Sequence, residues 1–533
     1  MKTNLPTLAK RLGFFSLAAA AACCIAPVAG AQQPQPSLDL PRLPNGEKPR
    51  NVIFILSDDH RYDFMGFMHR VPWLETPNMD RLAREGAHLK NAFVTTSLCS
   101  PSRASILTGQ YAHVHTVVDN QTAQPPGLIF FPQYLQKAGY RTAFFGKWHM
   151  GGEIDGNNDA PRPGFDHWEG FRGQGEYWGT TLNINGKRVQ YGKDVYTTDL
   201  LTEHALAWLK QQTPEHPFFL YLSHKAVHAT FEPPPRYKGC YADKEIPLPP
   251  SFKTPYYGIT TPPTKDPATG KPLTHEAFYG SGMHPNWLKN QRESWHGVDY
   301  AYHGTEDWKD DVRRYCETLR GLDDSIGAVL DYLKQAGLLD STLIIYMGDN
   351  GFTWGEHGII DKRQFYEESV RVPMLAFCPE LIKPGTVIDN MVENLDIAPT
   401  ILAAAGLQKP PQMVGASFLP LLEGKPTPEP WRQRIYYEYY WEYEFPQTPT
   451  IFGVRTDDYK YIKYYGIWDT NEFFDLKNDP YEMTNLINDP KYQKIIKQLA
   501  TDVDDWLEQT GGMYIPLKRT DRPHHDHRNE GAY

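Results

Sequence analysis

The hydrophobic pattern repeats one motif along the first four fifths of the chain. Short, almost unbroken apolar runs stand at Asn51–Leu56, Thr142–Phe145, Phe218–Leu222 and Thr342–Met347, with amphipathic stretches between them. Runs of this length bounded by polar turns predict strands buried on both faces. Strands alternating with helical patterns predict a mostly parallel central sheet flanked by helices, an α/β architecture. The clearest helix is predicted over about 310–336, where Leu319, Leu322, Ile326, Val329, Leu330 and Leu333 share one stripe and Gly337 stands just past the end. It feeds directly into the Thr342 strand.

The pattern breaks in two places. Residues 231–308 are rich in proline, glycine, tyrosine and histidine and have little periodicity, which predicts elaborated surface loops near a site. Around residue 425 the stretch KPTPEPW separates the α/β part, residues 50–425, from a second unit over 426–515. There Ile435–Tyr443 and Tyr459–Tyr464 alternate as strands and about 492–509 reads as a helix, so a small antiparallel sheet with one helix is expected. The proline-rich lead-in at 32–49 and the histidine-rich tail at 516–533 are given no core and no function.

The N-terminus changes the expected compartment. Lys2, Lys10 and Arg11 precede an apolar run from Leu12 to Val28, and Ala29-Gly30-Ala31 supplies small residues for cleavage before Gln32. Residues 1–31 therefore read as a signal peptide, and a periplasmic or secreted protein is expected. A lipid anchor at Cys23 is the alternative, with Ala20 a poor match to the apolar residue such a site prefers. No later run approaches the ~20 apolar residues of a membrane span. Without the first 31 residues, 51 Lys+Arg face 64 Asp+Glu, a formal charge of −13 that disfavours nucleic acid as a partner. Cys99, Cys240, Cys316 and Cys378 then remain, widely spaced and with no C-x-x-C pair, so neither a disulfide scaffold nor a zinc knuckle is implied.

Candidate chemistry collects at predicted strand ends, the rim where open α/β sheets bind ligands. Asp58 and Asp59 follow the first strand, and Gly348-Asp349-Asn350-Gly351 follows the Thr342 strand. Each pair alone is an ordinary turn or cap. Together, three carboxylates and an amide with no histidine suit a hard divalent cation, calcium or magnesium, with calcium preferred. Cys99 lies in Ser97-Leu98-Cys99-Ser100-Pro101-Ser102-Arg103, with Thr108-Gly109 downstream. Pro101 suits a first helical position and Gly109 a stop, so Cys99 is expected just before a short helix whose free N–H groups favour an anion, with Arg103 one turn away. A buried small hydrophobe is the plainer reading of that cysteine.

The C-x-P-S-R stretch from Cys99 to Arg103, followed by an apolar pair and Thr108-Gly109, resembles the signature of the formylglycine-dependent (type I) sulfatases, in which this cysteine becomes Cα-formylglycine. Gly139-Tyr140-Arg141-Thr142 through Gly146-Lys147-Trp148-His149 is similar to the family's second signature, with Phe145 bulkier than usual. Asp361-Lys362-Arg363 and the Tyr481-Glu482 region extend the resemblance to roughly residues 50–490. It implies an alkaline-phosphatase-like fold, a sulfuric ester hydrolase, a maturation enzyme as partner, and one calcium ion held by Asp58, Asp59, Asp349 and Asn350 with residue 99 completing the shell. It also implies that a hydroxyl of the hydrated aldehyde attacks sulfur while Arg103, Lys147, Lys362 and calcium neutralise charge. The second hydroxyl lets the sulfate leave by elimination, with His149 as base, and His228 in Ser223-His224-Lys225-Ala226-Val227-His228 fits the leaving-group acid better than His224.

Taken singly, these lysines and histidines would be surface or core residues, and only their joint occurrence reverses that. His113, His115, Asp119 and Asn120 resemble a pattern in sulfatases acting on N-acetylglucosamine 6-sulfate; with His357 near Lys362, they make His115, Asn120 and His357 candidate sugar contacts on a sulfated glycan. Two other readings stand beside this one: a phosphomonoester or phosphonate hydrolase of the same superfold, and a glycan-binding relative without turnover. The sulfated position and the oligomeric state are not written in the sequence.

Overall fold

The computed structural model describes residues 37–44, 48–151, 159–252, 284–292, 294–299, 302 and 307–514. The expected signal peptide at 1–31, parts of the lead-in, residues 253–283 and several up to 306 of the loop-rich stretch, and the tail at 516–533 lie outside the described residues.

All four predicted strands form, as Val52–Ser57, Arg141–Lys147, Phe218–Ser223 and Leu343–Gly348. They lie side by side in the middle of a ten-stranded sheet, with Val52–Ser57 between Leu343–Gly348 and Phe218–Ser223, and Arg141–Lys147 next. These pairings, and that of Arg141–Lys147 with His167–Phe171, are parallel. The flanks turn antiparallel: Met374–Phe377 pairs with Leu343–Gly348 on one side, and Thr181–Ile184 with His167–Phe171 on the other. Continuous apolar runs are explained by burial on both faces, since Val52, Phe54 and Leu56 enter one core and Ile53 and Ile55 the other.

Register matters most for the site. Ser57 pairs with Gly348, Leu56 with Ser223 and Gly146 with Ser223, so the carboxyl ends of four parallel strands stop at one level. The residues that follow are therefore delivered to a common rim.

The long helix is Trp308–Gln335, and its whole predicted stripe from Leu319 to Leu333 is fully buried. From the same helix Asp323 reaches the start of the helix Pro77–Glu85, accepting from the N–H groups of Asn78 at 3.2 Å and Met79 at 2.8 Å. Free N–H groups of a helix start are thus satisfied from a neighbouring element. Asp323→Ala is expected to cost about 2 kcal/mol of stability, read as a shift of the urea midpoint at unchanged turnover, because it orphans buried donors.

The second unit is a four-stranded antiparallel meander, Arg434–Tyr439, Thr450–Thr456, Tyr459–Tyr465 and Glu472–Asp475, covered by the helix Gln493–Thr510 through Leu499, Val503, Trp506 and Leu507. Two of its strands are absent from the sequence reading. Thr450–Thr456 is interrupted by Gly453, where a Cβ would stand 2.5 Å from the Phe365 ring; the glycine admits Phe365, which also stacks on Tyr437 at 4.5 Å. Glu472–Asp475 is only four residues long. The meander thus packs directly on the loop that carries Lys362.

Candidate active site

The helix of the first signature runs Cys99–Thr108 and is buried throughout. Leu98 caps it in extended conformation, and Gly109 ends it in the left-handed region at φ 65°. Cys99 is its first residue, which corrects the expectation that it precedes the helix; Pro101 stands third, where a missing N–H still costs nothing. The Ser100 N–H donates to Asn120 Oδ1 at 3.1 Å, and the Ser100 hydroxyl donates to the His149 carbonyl. Asn120 therefore serves the helix terminus itself.

Around Cys99 the strand ends bring acids and cations into alternation. Cys99 Sγ lies 3.4 Å from Asp58 Oδ1, and Lys147 Nζ donates to Asp58 Oδ2. Arg103 pairs with Asp349 through Nε at 2.9 Å and donates from Nη1 to the Lys147 carbonyl and, at 2.7 Å, to the Ser223 hydroxyl. Lys362 Nζ sits 2.6 and 2.7 Å from the two oxygens of Asp59. Asn350 Nδ2 donates to Asp59 Oδ1 at 2.7 Å, and the Asp59 N–H donates to Asp349 Oδ1 at 3.1 Å. Asp59 at φ 55° and His149 at φ 60° hold left-handed conformations, a local strain that the surrounding hydrogen bonds fix.

Burial sets the proton affinities. Asp58 loses solvation, yet Lys147, with His228, Arg103 and Lys362, holds it well below the usual carboxylate range. Asp59 is pushed up to about 7 by burial, only partly opposed by Lys362, with Asp58, Asp361 and Asp349 adding repulsion. Burial and Asp58 raise the Cys99 thiol well above its ordinary value, so the unmodified side chain is a poor nucleophile. Burial and then Lys147 keep His149 well below its ordinary value, and burial and then Lys362 do the same for His228.

The donor set could hold a metal ion. Ligand atoms of Asp58, Asp59, Cys99 and His228 lie within 4.8 Å of one another. Asn350 Oδ1, fully buried, has no hydrogen-bond partner among the described residues. An orphaned amide oxygen beside crowded carboxylates is what such an ion relieves.

The two histidines after Ser223 part company. His224 is buried against the long helix, with Nε2 3.1 Å from Ser325 Oγ, while His228 Nε2 is 3.6 Å from Asp59 Oδ2. His149 Nδ1 is buried with no hydrogen-bond partner among the described residues.

The sugar candidates scatter. His115 is corrected: it is buried at the end of the helix Ala112–His115, Nε2 meets Ser105 Oγ at 3.0 Å and Nδ1 accepts from the Val117 N–H at 3.1 Å, so it serves packing between helices. His113 pairs with Glu438 at 2.8 Å, and Asp119 accepts from the N–H groups of Gln121 and Thr122. His357 stacks on Tyr366 at 4.1 Å, with a ring nitrogen within 4.8 Å of carboxylate oxygens of Glu368 and Glu482. The structure adds residues that the sequence reading does not single out. Gln174 Oε1 accepts from Lys147 Nζ at 2.5 Å, and Asp361 lies 3.4 Å from Lys362 Nζ while bound by Arg363 and His296. Gln174 is flagged only by its flanking glycines, Gly173 and Gly175.

A parallel strand rim carrying paired carboxylates, three buried cations and a cysteine at a helix start defines a sulfuric ester hydrolase of the alkaline-phosphatase-like fold, and the chain belongs to the sulfatase family: residues 50–407 match that family. Residues 355–509 match the family described as N-sulphoglucosamine sulphohydrolase, C-terminal. The chain is 33% identical over 495 residues, 86% of each protein, to an N-acetylglucosamine-6-O-sulfatase of Bacteroides thetaiotaomicron. It is 30% identical over 430 residues, 76% of this chain and 70% of its relative, to the N-acetylglucosamine-6-sulfatase of Homo sapiens. A solved structure of a protein in complex with its substrate D-glucosamine-2-N,6-O-disulfate superposes with TM-score 0.72 at 32% identity, over 87% of this chain and 99% of that one.

Proposed function

We propose that this sulfatase removes the 6-O-sulfate of a glucosamine unit in a sulfated glycan, using a formylglycine made from Cys99 and one calcium ion held by Asp58, Asp59, Asp349 and Asn350. The observation that carries the substrate is the 33% identity, over 86% of both chains, to an N-acetylglucosamine-6-O-sulfatase. When present, the hydrated formylglycine supplies a hydroxyl to attack sulfur and a second hydroxyl for release, and calcium supplies a Lewis acid for a sulfate oxygen.

The chain's own groups have separable tasks. Arg103, clamped by Asp349 and Ser223, and Lys147, held by Asp58 and Gln174, place fixed positive charge beside residue 99 without reorganisation. Lys362, 2.6 Å from Asp59 Oδ1, adds a third cation. His149, kept neutral by burial and Lys147, is suited to accept a proton at its buried nitrogen, and His228 to give one to the leaving sugar oxygen.

The test begins with mass spectrometry of the Cys99 peptide from protein made with its maturation enzyme, where conversion of thiol to aldehyde removes about 18 Da. Sulfate release should then be faster from N-acetylglucosamine 6-sulfate than from galactose 6-sulfate; an intact thiol, or the reverse preference, overturns the reading. Chelation is expected to lower kcat/KM on the order of 100-fold, with calcium and not zinc restoring it. Residues 1–31 are proposed to direct export, which fractionation and an N-terminus at Gln32 would verify.

A further inference from the structure

We propose that Tyr177, Lys225 and the Ala229 carbonyl form a cradle that fixes the His228 imidazole, making Tyr177 and Lys225 positioning residues for proton delivery to the leaving alcohol. This rests on His228 acting as the acid of the proposed reaction.

The segment after the Phe218–Ser223 strand has no helix or strand of its own to hold it. It is tied instead to the metal-side loop, for the Asp58 N–H donates to the Ala226 carbonyl at 3.0 Å and the Val227 N–H to the Asp58 carbonyl at 2.7 Å. The His228 N–H closes a turn onto the Lys225 carbonyl at 2.9 Å. Nδ1 of His228 stands 2.6 Å from the Ala229 carbonyl oxygen, which can only accept, so Nδ1 carries hydrogen and Nε2 faces Asp59.

Two buried side chains from different elements complete the mount. The Tyr177 hydroxyl donates to the His228 carbonyl at 2.7 Å, and Lys225 Nζ donates to the same Ala229 oxygen at 3.4 Å. Lys225 Nζ also lies 5.0 Å from the centre of the Tyr177 ring, a cation–π contact that joins the two. Tyr177 is 2% and Lys225 6% exposed, so both are held within the protein. Burial, with nearby carboxylates, raises the Tyr177 hydroxyl well above its ordinary value and keeps it a donor. Tyr177 is set in turn by the Thr197 N–H on its carbonyl at 2.8 Å and by stacking on Tyr196. Its loop also carries Gln174, the partner of Lys147, so one loop orients both a cation and the acid.

The proton inventory is simple. The resting imidazole is neutral, and the negative charge of a bound sulfate ester, opposing Lys362, favours uptake of a second proton from solvent at Nε2. As the nucleophile's oxygen bonds sulfur and the S–O bond to the sugar breaks, the electron pair goes to the sugar oxygen, which takes that Nε2 proton. Nδ1 keeps its hydrogen on Ala229, and His228 ends neutral.

A leaving-group comparison separates positioning from packing. A sugar alkoxide needs the proton, whereas 4-nitrophenolate departs without it. Tyr177→Phe is expected to lower kcat on N-acetylglucosamine 6-sulfate by about 10-fold or more and on 4-nitrophenyl sulfate by less than about 3-fold. In a His228→Ala background the same substitution should cost nothing further on the sugar. Lys225→Met, which keeps the stem, should show the same selectivity if Tyr177→Phe folds poorly. Equal losses on both substrates, or an undiminished loss without His228, overturn the cradle. If His228→Ala itself lacks the selectivity, the acid assignment falls and the cradle with it; if wild-type protein releases sulfate from neither substrate, the proposed function is what fails.

Discussion

Cys99→Ala is expected to abolish sulfate release, with kcat falling on the order of 10⁵-fold or more, while the folded protein survives nearly unchanged. The side chain is fully buried at the first turn of its helix, where alanine is at least as good a helix former. Among the described residues its side chain hydrogen-bonds with Asp58, 3.4 Å away, and Asp58 keeps Lys147 and Arg103 as partners. Removing the sulfur therefore strands no buried charge. The check is steady-state turnover beside a thermal melt; residual activity within 10-fold of wild type would remove residue 99 from the chemistry.

Lys147→Ala should lower kcat/KM on the order of 10³-fold, with most of the loss in kcat. Lys147 ends a buried strand, and its ammonium is fixed between Asp58 Oδ2 and Gln174 Oε1 before any substrate arrives. Charge held in place in a site closed to water acts on the transition state without the cost of reorienting solvent. Lys147→Arg should not restore the rate, because the guanidinium is longer and planar and Gln174 already closes the far side. A loss confined to KM would mean that Lys147 only binds substrate. Melting with calcium present tests whether Asp58, left with Arg103 at 3.5 Å, still tolerates burial.

Much of this protein is legible in its sequence because local chemistry and local periodicity carry it. The four central strands announce themselves as apolar runs, since both faces are buried, and the long helix shows its stripe and its final Gly337. Asp58, Asp59, Cys99, Arg103, Asp349 and Asn350 stand in short stretches whose residue types already suit anion and cation chemistry, whereas Lys147 and Lys362 are marked only by the resemblance to the family's motifs. Thr450–Thr456 is not legible in the sequence, because Gly453 is accounted for only by the Phe365 ring that occupies the space a side chain would fill.

What the sequence by itself determined is the kind of element and the kind of chemistry at each strand end, because apolar periodicity and donor type are properties of a few neighbouring residues. Which of those residues meet was decided only by tertiary structure. His115 and Asn120 are five positions apart, yet one packs inward on Ser105 and the other caps the helix at Ser100. His224 and His228 are four apart, yet one meets the long helix and the other Asp59. Gln174 reaches Lys147 only because its loop folds back over the rim. Parallel register brings the strand ends level, and the loops beyond them choose their directions from long-range packing, information that no single stretch of chain contains.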